Sequence, residues 1–429
     1  MKKILIIGGG LSGLSSALYL TEMGFQVEII EASPKLGGRA YSFNYSQRNN
    51  ILDNGQHILM GCYSHTLEYI DKIKSRDQFY SQDSLHVNYV SEDNRIYTLS
   101  VAKNFYPFNF LYSFINFNLL SFNERIEILK FFFRLNAIQK KTGSNETVKD
   151  ILMRNGQSIS TIKKFWNLIV ISAMNTPIEI ASAELFVEMI KIIFFSGKKS
   201  STIILPGSGL SEALVYPASK LILNRGGEIS LSERVDKIET FGKKITKVFT
   251  SKREIDNFDL VISTIPADNL VKIIPEEFKI RMNIPSFEYS SIISVNLWYD
   301  KNPLKEKFYG IIDGEFHWLF NKGDYISLIK SAANNIANLN KNEIIETAIS
   351  EMKKYFPILN NIEIIDSKII KERKATIISS SNSVEQRKKL NHNFSNLFIA
   401  GDWVNTGLPS TIESSIKSGK KISELILSQ

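Results

Sequence analysis

Cysteine is almost absent: Cys62 stands alone in 429 residues. One thiol excludes an internal disulfide and any zinc centre built on paired thiolates, and a reducing compartment fits best. Long apolar runs are missing too. No 18 uninterrupted apolar residues occur, so no membrane-crossing helix is expected. The nearest approach, Phe105 to Phe122, is broken by Pro107, Asn109, Asn116 and Asn118; such a stretch can lie on a membrane but not span it. Lys and Arg exceed Asp and Glu by 52 to 44, a net charge of +8. No block of five or six like charges appears, only pairs such as Lys198-Lys199 and Lys243-Lys244. That pattern fits a solvated surface first and an anionic membrane face second. No nucleic-acid-reading motif, internal repeat or low-complexity tail is found. Met1-Lys2-Lys3 before Ile4 to Ile7 imitates a signal peptide, but Gly8-Gly9-Gly10 cuts the apolar stretch short and no cleavage site follows, so none is expected.

What the chain has is a glycine-rich start. Lys3 to Ile7 reads as a strand buried on both faces. Gly8, Gly10 and Gly13 then fit G-x-G-x-x-G, with Leu11 and Ser12 opening a helix that runs to Met23. Gly8 suits a tight turn, Gly10 a close approach of pyrophosphate, and Gly13 close helix–strand packing. The helix start offers free N–H groups to phosphate. A second strand, Gln26 to Ile30, ends at Glu31, placed to accept hydrogen bonds from ribose hydroxyls. That acid serves NAD and the ADP half of FAD alike. Leu36-Gly37-Gly38-Arg39-Ala40 adds a second glycine pair followed by a cation, which suits a cofactor held along its whole length.

At this point the chain resembles the flavin amine oxidase and phytoene desaturase superfamily, which carries this G-G-R element. Further pieces follow in the superfamily's order: Leu205 to Leu210, the Val235-Asp236-Lys237-Ile238 element, Thr264-Ile265-Pro266, Gly401-Asp402-Trp403, and Gly407 to Glu413 opening the last helix. Asp53-Asn54-Gly55-Gln56-His57, with Gly61-Cys62-Tyr63, resembles one group within it, the hydroxysqualene dehydroxylases of hopanoid synthesis. Trp318 to Asn321, Glu372 to Thr376 and Gly407 to Glu413 resemble the same group, although Arg373-Lys374 stands where the group usually has Lys-Arg.

The resemblance implies an α/β fold: a Rossmann-like FAD-binding domain (1–63, 201–270 and 385–429) interleaved with an α+β substrate domain of mixed sheet and helical cap (64–200 and 271–384). It implies FAD as cofactor, held by Gly8, Gly10, Leu11, Ser12, Gly13, Glu31, Gly38, Arg39, Gly55, Gln56, His57, Val235, Gly401, Asp402, Thr411 and Ile412, with no metal. It implies an FAD-dependent oxidoreductase that removes the allylic hydroxyl of hydroxysqualene. An isoprenoid desaturase is the alternative, and an amine oxidase a more distant one. Protonating a departing hydroxyl needs a general acid near neutrality. His57 is the first candidate, with Asp53 and Glu413 behind it, although Asp53 also suits a loop brace and Glu413 a packing role. Expected partners are a C30 isoprenoid, an electron donor of unknown kind and the cytoplasmic face of the membrane. Residues 105–133 and 190–195 are greasy enough to be a packed helical cap, a hydrocarbon tunnel with a membrane-facing patch, or both.

Overall fold

Two sheets of different character organise the chain in a computed structural model that describes residues 2–101, 106, 109–391 and 394–428. The first is five-stranded and parallel, in the order Glu228–Ser230, Gln26–Ile30, Lys3–Ile7, Leu260–Ser263, Leu397–Ile399. Its strands are short continuous apolar runs because both faces are covered. Ile4 and Ile6 pack with Leu14, Leu18 and Ile416 on one face, while Leu5 and Ile7 pack with Val261, Ile238 and Leu270 on the other.

The helix Leu11–Glu22 and the last helix, Ile412–Leu427, lie against each other through small residues. Ser15 Oγ donates to Ile416 O at 2.9 Å, Ser423 Oγ donates to Ser16 O at 3.2 Å, and a methyl on Gly419 would come within 2.4 Å of Ser12 O. The backbones meet there because no bulk separates them.

The second sheet has seven strands and is mostly antiparallel: Ile364–Ile377, Tyr289–Tyr299, Tyr325–Lys330, Trp318–Asn321, Phe308–Ile311, His86–Val90 and Ile96–Ser100. Period-two alternation divides its side chains. Trp318, Phe320 and Ile329 face a cap of helices that includes Phe122–Lys141, Asn167–Met174 and Ala183–Phe195. Leu319, Leu328 and Ile326 face the helix Lys341–Tyr355.

Within the cap, Phe114, Phe131, Phe165, Trp166 and Phe186 are buried and meet ring to ring at 4.9–6.3 Å. Much of the aromatic wealth is therefore packed core. Phe122 and Phe133, 74% and 71% exposed, and Tyr112, Ile115 and Phe195 remain on the outside. Phe105, Pro107 and Phe108 lie outside the described residues. Among the described residues no helix is long and apolar enough to cross a membrane.

A single helix from Ser211 to Asn224 is the sequence expectation. Instead, a widened π turn occupies Ser211–Val215 before the α-helix Tyr216–Asn224. Pro217 explains it: with no N–H and a ring that crowds the preceding turn, it favours opening that turn.

Candidate functional site

The first strand ends at Gly8, whose φ of +108° favours glycine, and Thr264 Oγ1 donates to its carbonyl at 2.9 Å. A methyl on Gly13 would sit 2.0 Å from Gly8 O, so only hydrogen fits between helix and turn. Gly10 bridges to Gly37, and a methyl on Gly38 would lie 3.2 Å from the Gly10 Cα; the two glycine loops are thus in direct contact. The helix begins at Leu11 and Ser12 with no side-chain cap on Gly10 and no acid in its first turn. Its free N–H groups and partial positive charge are left for an anion. Glu31 Oε2 accepts from Gly9 N and Oε1 from Ser33 N, both at 2.7 Å. The carboxylate ties the loops in register, and each oxygen keeps a lone pair for a further donor. Val235, buried at the start of its strand, packs in the same cluster as Ile7 and Ile30.

Arg39 Nη2 reaches Asp402 Oδ1 at 2.5 Å, and Ser410 donates its hydroxyl to the other Asp402 oxygen. Burial alone would raise the Asp402 carboxyl, but the Arg39 guanidinium and these hydrogen bonds outweigh it and hold the group below the usual aspartate range. Gly401, at φ +144°, donates its N–H to Ser418 Oγ at 2.9 Å. Thr411 caps the last helix by accepting from Ser414 N at 3.2 Å, with Ile412 as the first helical residue.

Sequence reasoning passed over Arg387. It is 5% exposed, its Nη1 donates to Leu408 O at 2.9 Å, and its Nε and Nη2 have no partner among the described residues. Two orphaned donors on a buried cation beside Asp402 are costly unless a ligand accepts from them. Together with the uncapped helix start and the bare glycine contact, this is what a site for a long, anionic dinucleotide requires. The residues present therefore fit FAD.

Asn54 Nδ2 donates to Arg39 O at 2.8 Å, so the segment from Asp53 to His57 runs alongside the second glycine loop. Asp53 Oδ1 accepts from Ser42 Oγ and from Leu210 N, each at 2.8 Å. It braces the strands Ser42–Tyr45 and Asn50–Asp53 against the start of the π turn. Glu413 is likewise committed: Oε1 accepts from His65 N and Nδ1 at 3.1 and 2.9 Å, and Oε2 from Thr66 N and Oγ1 at 2.8 and 2.7 Å. Burial would raise this carboxyl too, but the His65 and Thr66 donors hold it low, so Glu413 has no proton to give near neutrality. Its geometry is that of a clamp on the helix Ser64–Lys72.

His57 lines a cavity of about 380 Å³ together with Gln56, Tyr80, Leu205, Pro206, Lys305, Lys307, Phe320 and Lys322. Gly55 precedes it with room to spare, the nearest atom to a methyl there being His57 Cε1 at 3.8 Å. The ring's Nδ1 lies 2.9 Å from Gly55 O. A carbonyl can only accept, so Nδ1 carries hydrogen and Nε2 is the atom left to exchange a proton. Burial lowers the imidazole pKa, Asp53 opposes this, and Lys322 adds to the lowering. Cys62 is half-buried and its thiol is pushed up to about 12, chiefly by burial, so it carries no thiolate near neutrality.

Comparison with known proteins follows this geometry. The chain matches the flavin containing amine oxidoreductase model over residues 11–427. It is 25% identical to a hydroxysqualene dehydroxylase of Zymomonas mobilis, over 99% of this chain and 98% of that one. It is 22% identical to a 15-cis-phytoene desaturase of an Oncidium hybrid cultivar, over 99% of this chain and 78% of that protein. A solved structure of wild-type putrescine oxidase bound to putrescine superposes with a TM-score of 0.75, at 12% identity, over 100% of this chain and 99% of that one. At that identity the last likeness speaks for the fold alone.

Proposed function

This chain belongs to the flavin containing amine oxidoreductase family as an FAD-dependent oxidoreductase, and from that premise we propose that it replaces the allylic hydroxyl of hydroxysqualene by hydrogen, giving squalene. What supports the reading is the Asp53–Tyr63 segment beside the second glycine loop, taken with a full-length relative named for this reaction. Bound FAD, when reduced, supplies a hydride. Replacing the hydroxyl would need that hydride at the carbon whose C–O bond breaks and a proton to carry the departing oxygen away as water.

The protein's share is orientation, exclusion of water and the proton. Gly8, Gly10, Leu11, Ser12, Gly13, Gly38, Arg39, Asp402 and Arg387 would hold the dinucleotide's polar length, and Glu31 and Val235 its adenosine end. Gly55, Gln56, Thr411 and Ile412 would bound the flavin end. Leu205, Pro206 and Phe320 offer the hydrocarbon an apolar wall. His57 Nε2 donates the proton once the ring is an imidazolium, a form that its lowered pKa makes scarcer near neutrality and that grows as pH falls. The exposed Phe122 and Phe133 rest on the membrane from which the substrate is drawn.

Anaerobic incubation of chemically reduced enzyme with hydroxysqualene tests the reaction: flavin reoxidation with stoichiometric squalene is expected. Recovery of the alcohol with flavin still reduced overturns it. The second reading, an isoprenoid desaturase, draws on the phytoene desaturase relative and calls for oxidised enzyme with phytoene. Turnover of the wild type is expected to decline with rising pH, the inflection lying below the ordinary imidazole value of 6.5. His57→Asn should keep its flavin, lose that inflection and slow turnover by about 100-fold or more; unchanged turnover removes His57 from the acid role.

A further inference from the structure

The cavity beside His57 carries a charge that the proposed reaction does not use. Lys305, Lys307 and Lys322 stand on its wall, and no Asp or Glu does. None of the three lysines forms an ion pair or side-chain hydrogen bond with a described residue, although Lys307 lies over the Tyr80 ring at 4.9 Å. The nearby acids are otherwise placed. Asp53 accepts from Ser42 and Leu210, Asp324 accepts from Asn50 Nδ2 at 3.2 Å, and Glu306 is absent from the wall. Lys322 is half-buried, and burial lowers its pKa more than Asp53 restores it. An ammonium stripped of water without a counter-charge is destabilising until an anion joins it. Tyr80, Leu205, Pro206 and Phe320 add apolar and aromatic surface to the wall, beside the polar Gln56, His57 and Asn321. A cavity lined by both unpaired ammonium groups and apolar side chains matches a molecule that joins an anionic head to a hydrocarbon.

We infer that this cavity binds a phosphorylated amphiphile, its phosphate or diphosphate among Lys305, Lys307 and Lys322 and its hydrocarbon against Leu205, Pro206 and Phe320. Lysine suits such a head as a point charge able to meet several oxygens. An isoprenyl diphosphate and an anionic phospholipid headgroup share this chemistry. The inference deepens the proposed function by giving the His57 cavity a second kind of ligand. It rests on that reading only for its relevance to turnover, since binding is measured without it.

The test uses full-length protein saturated with FAD, so that the dinucleotide's own phosphate sites are filled, at about 0.15 M salt to suppress diffuse attraction. Calorimetry with farnesyl diphosphate, inorganic diphosphate and farnesol should rank the three in that order of affinity. Flotation with phosphatidylcholine vesicles, with and without phosphatidylglycerol, asks whether a lipid headgroup is the source. Lys322→Gln should weaken the anionic probes by about tenfold or more, as expected for loss of one charge-assisted contact, while Lys322→Arg restores most of the affinity. Lys305→Gln with Lys307→Gln, both on exposed side chains, should weaken them comparably and serves if Lys322→Gln does not fold. Capture only by phosphatidylglycerol vesicles, lost in these variants, supports the site and identifies the headgroup as its source. Failure of every anionic probe to bind wild type, or binding that survives replacement of all three lysines, overturns the inference. Because neither readout involves hydroxysqualene, the dehydroxylase reading can fail while this one stands.

Discussion

The parallel sheet and the seven-stranded sheet are each covered on two faces, yet their surroundings are built on opposite terms. Around the parallel sheet the decisive contacts are made by atoms that are missing. Gly13, Gly38 and Gly419 let backbone meet backbone, and serine hydroxyls stitch the first and last helices together. In the cap over the second sheet the decisive contacts are made by bulk, with Phe131, Trp166 and Phe186 filling the interior ring against ring. The surroundings of the parallel sheet should therefore fail when something is added, and the cap when something is taken away.

The largest effect should come from removing bulk. Trp166→Ala empties a fully buried site and should cost about 4 kcal/mol in denaturant unfolding, with flavin content kept wherever the protein remains folded. Loss of flavin in step with partial cap unfolding would break the proposed independence of the two regions. Next comes an addition. Gly13→Ala forces a methyl to within 2.0 Å of a backbone oxygen and should cost about 3 kcal/mol and most of the bound flavin. Gly197→Ala, which meets nothing within 4 Å, should stay within about 0.5 kcal/mol. Equal tolerance of both alanines, read by melting and flavin absorbance, would contradict the contrast.

A charge effect of smaller size belongs to the second sheet. Glu351 is buried behind it, accepting from Phe316 N at 3.1 Å, and burial pushes its carboxyl from 4.5 to about 7. The folded value lies above the unfolded one, so the ionised form opposes folding. Stability is complete below about 4.5 and is lost as pH rises through about 7. Glu351→Gln should flatten that profile and gain about 2 kcal/mol at alkaline pH; a parallel profile in the variant would place the burial cost elsewhere. Smallest of all, Phe122→Ser with Phe133→Ser should leave unfolding within about 0.5 kcal/mol and reduce vesicle binding.

The same contrast governs what could be read from the sequence. Gly8, Gly10, Gly13, Glu31 and Arg39 announce themselves because turn, helix start and ribose acid follow one another within a few dozen residues. In the second sheet Tyr289–Tyr299, Phe308–Ile311, Tyr325–Lys330 and Ile364–Ile377 are legible as apolar runs, but His86–Val90 and Ile96–Ser100 are not, and nothing local states that Trp318 faces the cap and Leu319 the opposite helix. Arg387 carries no motif; its significance arises only where the chain returns to Asp402 and Leu408. Lys322 is one lysine among many until folding sets it on one cavity wall with Lys305, Lys307 and His57, without a direct ion pair. Glu413 was visible as part of a family-like stretch, yet its four bonds to His65 and Thr66 join residues nearly the whole chain apart. The π turn at Ser211–Val215 was betrayed only by Pro217.

Consider the order in which a ribosome delivers the parallel sheet. Lys3–Ile7 emerges about 250 residues before its neighbour Leu260–Ser263, and Leu397–Ile399 follows later still to take the edge. Pairings this remote are slow to form. During synthesis an apolar strand edge stands open to other chains. The helix Ile412–Leu427, which locks onto Leu11–Glu22 through Gly419 and Ser423, follows later than all of these strands. A nascent chain stalled between Ser263 and Gly419 would hold the glycine turn but not its support.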